Sequence, residues 1–165
     1  MTFPTSLALK EYKFWPWLFP ITYLIHIAEE VYGCEGYSAY LERLRGIHIT
    51  PGRFMLAHGV GLILMVVGIV LARQLKFSNF FNVILGMTVL VNSFTHTIQT
   101  VIHGEYVPGL VTGLLIWLPL GVVTLMRFKE SLSSRRYVLA IALGLGINVV
   151  VELIIAWQLH YVMNS

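Results

Sequence analysis

Five runs of this chain, approximately residues 14–32, 54–73, 79–102, 107–127 and 136–162, are almost wholly apolar. Each comes close to or exceeds the roughly 20 residues that a helix needs to cross a bilayer at about 1.5 Å of rise per residue. Hydrocarbon offers backbone amides no partners, so such runs close their hydrogen bonds internally and fold as helices. The expected architecture is all-α: a polytopic membrane helical bundle of about five transmembrane helices, a single domain over residues 1–165, with the lipid bilayer as solvent. Composition agrees, since 57% of the residues are hydrophobic and 12% are charged, against about 25% charged in soluble domains. Pro16 and Pro20 fall near the start of the first run, where proline is tolerated, whereas Pro119 in the middle of the fourth predicts a kink.

The first run begins late, lacks a small-x-small cleavage site before Glu29 and ends in acidic residues, which reads as a retained helix and not a signal peptide. A single cysteine, Cys34, excludes an intrachain disulfide and a cysteine-rich zinc site. The pI of 9.1 does not indicate nucleic-acid binding, because the basic residues are scattered at run ends and not clustered with aromatic residues. They report orientation instead. Threading five spans puts Lys10, Lys13, Arg73, Lys76, Arg127, Lys129, Arg135 and Arg136 on one side and Arg43, Arg45 and Arg53 on the other. The positive-inside rule then predicts a plasma or inner membrane protein with a cytoplasmic N-terminus and an external C-terminus. No two spans share a motif, which disfavours an inverted-repeat transporter. The 33–53 loop, with spaced apolar positions before the Pro51–Gly52 turn, predicts a short interfacial helix.

In this threading all six histidines fall on the external side or in the external half of a span. His26, Glu29 and Glu30 in "HIAEE" stand at i, i+3 and i+4, one helical turn apart, and so offer imidazole and carboxylate on one face. That pair of groups is a ligand set for zinc or iron, with the second carboxylate free to act as a base. The third run adds a stripe, Asn92, His96, Gln99 and His103, at helical spacing, and the second and fifth add His58, Asn148 and Glu152. A carboxylate such as Glu152 costs about 2.5–3.5 kcal/mol near the bilayer centre unless it is paired, so it calls for a proton, a histidine or a metal. The turn "HGEYVPG" places Tyr106 at the mouth of the arrangement. The structural alternatives are a helix end solvated by headgroups for His26, Glu29 and Glu30, and interhelical hydrogen bonding for Asn92 and His96. His48 and His160 are expected in water or headgroups. Trp15, Trp17, Trp117 and Trp157 are expected as interfacial anchors. Gly59, Gly61, Gly68, Gly144 and Gly146 are read as close-packing positions, because no phosphate-binding or nucleophile-elbow motif is present.

Together "HIAEE" at 26–30, "NSFTH" at 92–96 and "YVPGLVT" at 106–112 resemble the HXXEE family of small integral membrane proteins. The resemblance implies functional or structural importance for His26, Glu29, Glu30, Asn92, His96, Tyr106, Pro108, Gly109 and Thr112, and it names no reaction. A fainter likeness, to membrane proteases that process prenylated tails, is one of inventory only, since the arginine that follows their glutamate pair is missing here.

The resulting expectation is a membrane-embedded metal-dependent enzyme, a hydrolase acting on a lipid-like or membrane-borne substrate at the external leaflet. His26, His96 and one glutamate of the pair, Glu30 with the choice between Glu29 and Glu30 open, are the leading metal ligands, with His58, His103 and Glu152 in reserve. Glu29 or Glu30 is the general base, and Tyr106 and Asn92 orient the intermediate. Zinc is the first choice of divalent metal because it needs no redox partner; iron is the alternative, with few ligands for a pair of irons. The competing expectations are a path for protons, metal ions or a small solute, which in a bundle this small requires a homo-oligomer, and a structural subunit.

Overall fold

The computed structural model describes residues 14–163, with side chains as far as Ile154. Lys10, Lys13 and the side chains of Trp157 and His160 lie outside the described residues. A 3₁₀ turn, Trp15–Trp17, leads into α1 (Leu18–Tyr32). It is followed by α2 (Tyr37–Arg45), α3 (Pro51–Gln74), α4 (Ser78–His103), α5 (Leu110–Ser131) and α6 (Ser134–Met163). Among the described residues there is no strand.

Helices α3 to α6 are long and apolar enough to cross a membrane. Their outward faces carry Leu56, Ile63, Leu64, Val101, Leu115, Met126 and Val138, all exposed, which is the surface of an integral membrane protein. The run at 14–32 is shorter as a helix than as a sequence. Its 15 helical residues rise roughly 22 Å, because Pro16 and the start of α1 at Leu18 leave the first turn 3₁₀.

The central helix is α4, half of whose apolar window is buried, against 11% for α3 and for α6. Glycine allows its neighbours to approach closely. A Cβ on Gly121 of α5 would stand 2.8 Å from the Gly86 carbonyl of α4, and one on Gly144 of α6 would stand 2.7 Å from the Ile84 carbonyl. The same close approach holds at Gly61 and Gly68, where a Cβ would meet Tyr23 and Phe81, but Gly59 and Gly146 face open space.

Pro119 does not bend α5 as a simple kink. The helix widens into a π turn over Gly113–Trp117, and the Leu118 amide reaches back to the Gly113 carbonyl just before the proline that lacks an N–H. This turn carries Trp117 into the bundle. Trp117 is buried and donates to Thr22 Oγ1 at 3.3 Å, and Trp15 donates to Thr124 Oγ1 at 3.0 Å. The expected interfacial role therefore fails for Trp117, because the widened turn points its indole at α1 and away from lipid.

The interfacial helix predicted between 33 and 53 is α2. It starts at Gly36 (φ +79°) and stops at Gly46 (φ +65°), where the left-handed backbone suits glycine. Tyr37, Tyr40 and Leu41 of α2 pack with Ile47, Phe54 and Val107 in one cluster. The helix is thereby held across the same end of the bundle as the α4–α5 turn. Exposed ion pairs, Arg43 with Glu35 and Glu105 and Arg45 with Glu152, tie its outer edge. Hydrogen bonding to Arg43 and its charge hold the Glu35 carboxyl below the usual range, so the pair persists into mild acid.

Candidate metal centre

Adjacent residues on a helix point about 100° apart, and α1 uses this to send its two glutamates to different places. His26 and Glu30, one turn apart, face inward and are buried. The Glu30 carboxylate meets histidines from three helices. Its Oε1 lies 3.5 Å from His26 Nε2 and 3.4 Å from His96 Nε2 of α4, and its Oε2 lies 3.5 Å from His58 Nε2 of α3.

Glu29 turns instead to the start of α5. Its Oε1 accepts from the Tyr106 hydroxyl at 2.6 Å and the Val111 amide at 2.9 Å; its Oε2 accepts from the Thr112 amide at 2.7 Å and from the Thr112 hydroxyl. A carboxylate from one helix thus caps the N-terminus of another, where free amides and the helix dipole favour negative charge. Burial, the bond it donates to Glu29 and that carboxylate's charge raise the Tyr106 phenol above its ordinary range, so it remains a donor at working pH.

These bonds fix the protons on His26. The Thr112 hydroxyl has one proton and gives it to Glu29, so at its 2.7 Å contact with His26 Nδ1 it accepts. Nδ1 therefore carries a proton, and in the neutral ring Nε2 is the bare nitrogen that faces Glu30. Trp117 stacks on the same ring at 3.7 Å between centroids and holds its plane. Replacing Thr112 by valine keeps the shape and removes the acceptor. For a divalent ion held by this cluster, the expected result is an affinity about 10–100-fold lower, the usual cost of losing the group that orients a ligating histidine, with Thr112→Ser restoring it; titration with a metallochromic indicator reads both.

A bare imidazole nitrogen and a carboxylate oxygen repel unless a proton or a metal ion lies between them. His26 Nε2 and Glu30 Oε2 are buried without a hydrogen-bond partner. One ligand atom each from His26, Glu30 and His96 lie within 4.8 Å of one another. Separations of 3.4 and 3.5 Å are long for a hydrogen bond, yet near the edge of about 3.3 Å for a tetrahedron of ligands at roughly 2.05 Å from a small divalent ion. Space is kept open beside them by Gly109 (φ +98°). A Cβ there would stand 2.6 Å from His96 Cε1, 2.9 Å from His96 Nε2 and 3.0 Å from His26 Cε1. The donor set, its unmatched lone pairs and this cradle fit one divalent ion, with a coordination position left over.

Of the residues singled out from sequence, His26, Glu30, His96 and His58 meet here. Asn92 lies one turn from His96 with its Oδ1 buried and unpartnered. Tyr106 binds Glu29 and does not reach the histidines' carboxylate. His103 is exposed, its ring edge-on to Tyr40. Glu152 finds Arg45 at 3.3 Å where a proton, histidine or metal was expected. His48 is exposed and pairs with Glu42. Residues missed by sequence reasoning are Tyr23, whose hydroxyl lies 3.0 Å from His58 Nδ1, Trp117, and Tyr37, whose ring lies 5.4 Å from that of His96. Tyr23 stands one turn minus one residue before His26, the signal that would have marked it.

Fold and site together define a small polytopic membrane protein with a buried histidine–carboxylate cluster at one end of its bundle. The chain belongs to the HXXEE family, described as proteins of unknown function with an HXXEE motif, which matches residues 17–124. No curated protein and no solved structure matches it.

Proposed function

We propose that this chain is a membrane-embedded, metal-dependent hydrolase acting on a lipid-like or membrane-borne substrate, with its site at the external leaflet and its N-terminus in the cytoplasm. The observation that carries the reading is the convergence of His26 Nε2, His96 Nε2 and Glu30 Oε1, with His26 Nε2 unmatched and a glycine-lined space beside them. Two imidazoles and a carboxylate with an open position form a catalytic zinc pattern, and zinc is the first choice. Such an ion would polarise a carbonyl and make water acidic near neutral pH.

The chain's own groups divide the remaining work. Glu30 would hold such an ion through Oε1, while its Oε2 faces His58, which Tyr23 positions from the other ring nitrogen. His58 is therefore assigned as the proton-transfer group. Glu29 accepts four hydrogen bonds and is assigned to positioning, through Thr112, in place of a role as base. Asn92 is assigned to substrate orientation. His58 has the most exposed side chain of the four clustered residues, at 22% against 1–4% for His26, Glu30 and His96, and its neighbours Met55, Leu56 and Val60 are exposed and apolar. An approach past these side chains comes from hydrocarbon, which favours a membrane-borne substrate. A conduit is less well supported, since the residues of α4 buried between Asn82 and Asn92 are Val83, Ile84, Leu85, Gly86, Val89 and Leu90.

Elemental analysis of the purified protein tests the reading. One equivalent of zinc or iron, lost in His26→Ala and in His96→Ala, is the expected result; a folded wild-type protein that takes up no metal would sink it.

A further inference from the structure

The outer half of α4 carries more buried polar atoms than the protein can pair. Gln99, 6% exposed, has both its amide oxygen and its amide nitrogen buried without a partner, as are Asn92 Oδ1 and His96 Nδ1. Asn92, His96 and Gln99 occur at steps of four and three and so share one face of the helix. The Tyr37 hydroxyl is beside Gln99 but outside hydrogen-bond geometry, and turned onto it would satisfy one of the two amide atoms. Native proteins rarely bury such atoms unpaired, and several on one helix face beside a cluster of ligating groups mark a place where a ligand supplies the partners.

The unmatched atoms specify that ligand. Asn92 Oδ1 and Gln99 Oε1 each need a donor, whereas the Tyr37 oxygen is at hand for Gln99 Nε2. An ester linkage presents acceptors alone and leaves both oxygens unpaired. An amide N–H with a neighbouring hydroxyl supplies two donors and a carbonyl acceptor. We infer that Asn92 and Gln99 form a recognition edge for an amide-linked, hydroxyl-bearing amphiphile, so that the substrate class is the N-acyl amino alcohol and not the acyl ester. The inference rests on the hydrolase reading for the reaction itself. There, water oxygen adds to the amide carbonyl carbon and the C–N bond breaks. One water proton goes to the leaving nitrogen, by way of His58, and the products are a carboxylic acid and an amine, with no change of oxidation state.

The test uses the full chain in detergent and two ligands differing at one atom, N-dodecanoyl ethanolamine and 2-hydroxyethyl dodecanoate. Affinity is read by thermophoresis, and metal content and Tm are measured on the same preparations. Wild type is expected to bind the amide at least about tenfold more tightly. Gln99→Leu is expected to bring the two within about twofold while leaving the ligand-free Tm nearly unchanged, because the buried oxygen it removes is unpaired and the amide nitrogen has only the nearby Tyr37 oxygen. Asn92→Leu is expected to narrow the preference as an independent variant. Equal affinities in wild type overturn the inference, and so does a Gln99→Leu protein that unfolds, since that makes Gln99 structural. Amide preference in a metal-free protein supports the recognition edge and sinks the hydrolase. Equal binding in a protein with one equivalent of metal sinks the recognition edge alone.

Discussion

Gly109→Ala is expected to purify without metal although every ligating side chain is intact. The new methyl group would stand 2.6 Å from His96 Cε1 and 2.9 Å from His96 Nε2, within the space between the two imidazoles. The left-handed backbone at φ +98° adds about 1–2 kcal/mol of strain for any residue with a Cβ. Gly104 separates the two effects. It also has a positive φ, +66°, but nothing lies within 4 Å of its would-be Cβ. Gly104→Ala should lower Tm by a similar strain and keep its full equivalent of metal. Elemental analysis and thermal unfolding of the two variants read the difference, and loss of metal from both would remove the cradle from the account.

Glu29→Gln is expected to be the most destabilising conservative change at the site. The glutamine would keep one acceptor oxygen and set an amide N–H against hydrogen-bond donors that the carboxylate now receives. Hydrogen bonds to a charged group contribute about 1.5–3 kcal/mol each, so losing two of four costs roughly 3 kcal/mol or more. It also releases the Thr112 hydroxyl to donate to His26 Nδ1, which would move the ring proton to Nε2, the atom that faces Glu30. Metal affinity should then fall about 10–100-fold while saturating metal still reaches one equivalent. Glu30→Gln should instead lose the metal outright, because it removes a ligand. Tm and indicator titration distinguish the two; equal loss at both positions would mean that the adjacent glutamates share one task.

How far the chain could be read in advance follows from which residues announce themselves. Span lengths and the hydrocarbon constraint were enough for the helical bundle, the helix in the 33–53 loop and the run ends to within a few residues. The i, i+3 and i+4 spacing placed His26 one turn from both carboxylates, and the α4 stripe placed His96 on the same helical face as Asn92 and Gln99. Division of labour between Glu29 and Glu30 was not legible, since it depends on which neighbour lies 100° round the helix. Thr112 and Gly109 entered through family resemblance; their physical roles, an acceptor for one imidazole and an absent Cβ beside two, needed α5 in place. Trp117 was misread as an interfacial anchor because its inward turn comes from the π turn before Pro119, and linear sequence gives that no mark. Glu152 was read as a mid-membrane charge, but α2 lies across this end of the bundle and its Arg45 reaches the carboxylate.

The most direct measurement is X-ray absorption at the zinc edge of the protein loaded with one equivalent of zinc in detergent. The account predicts a single shell of four nitrogen or oxygen neighbours at about 2.0–2.1 Å with the outer-shell pattern of two imidazoles. A six-oxygen shell without imidazole scattering would contradict it.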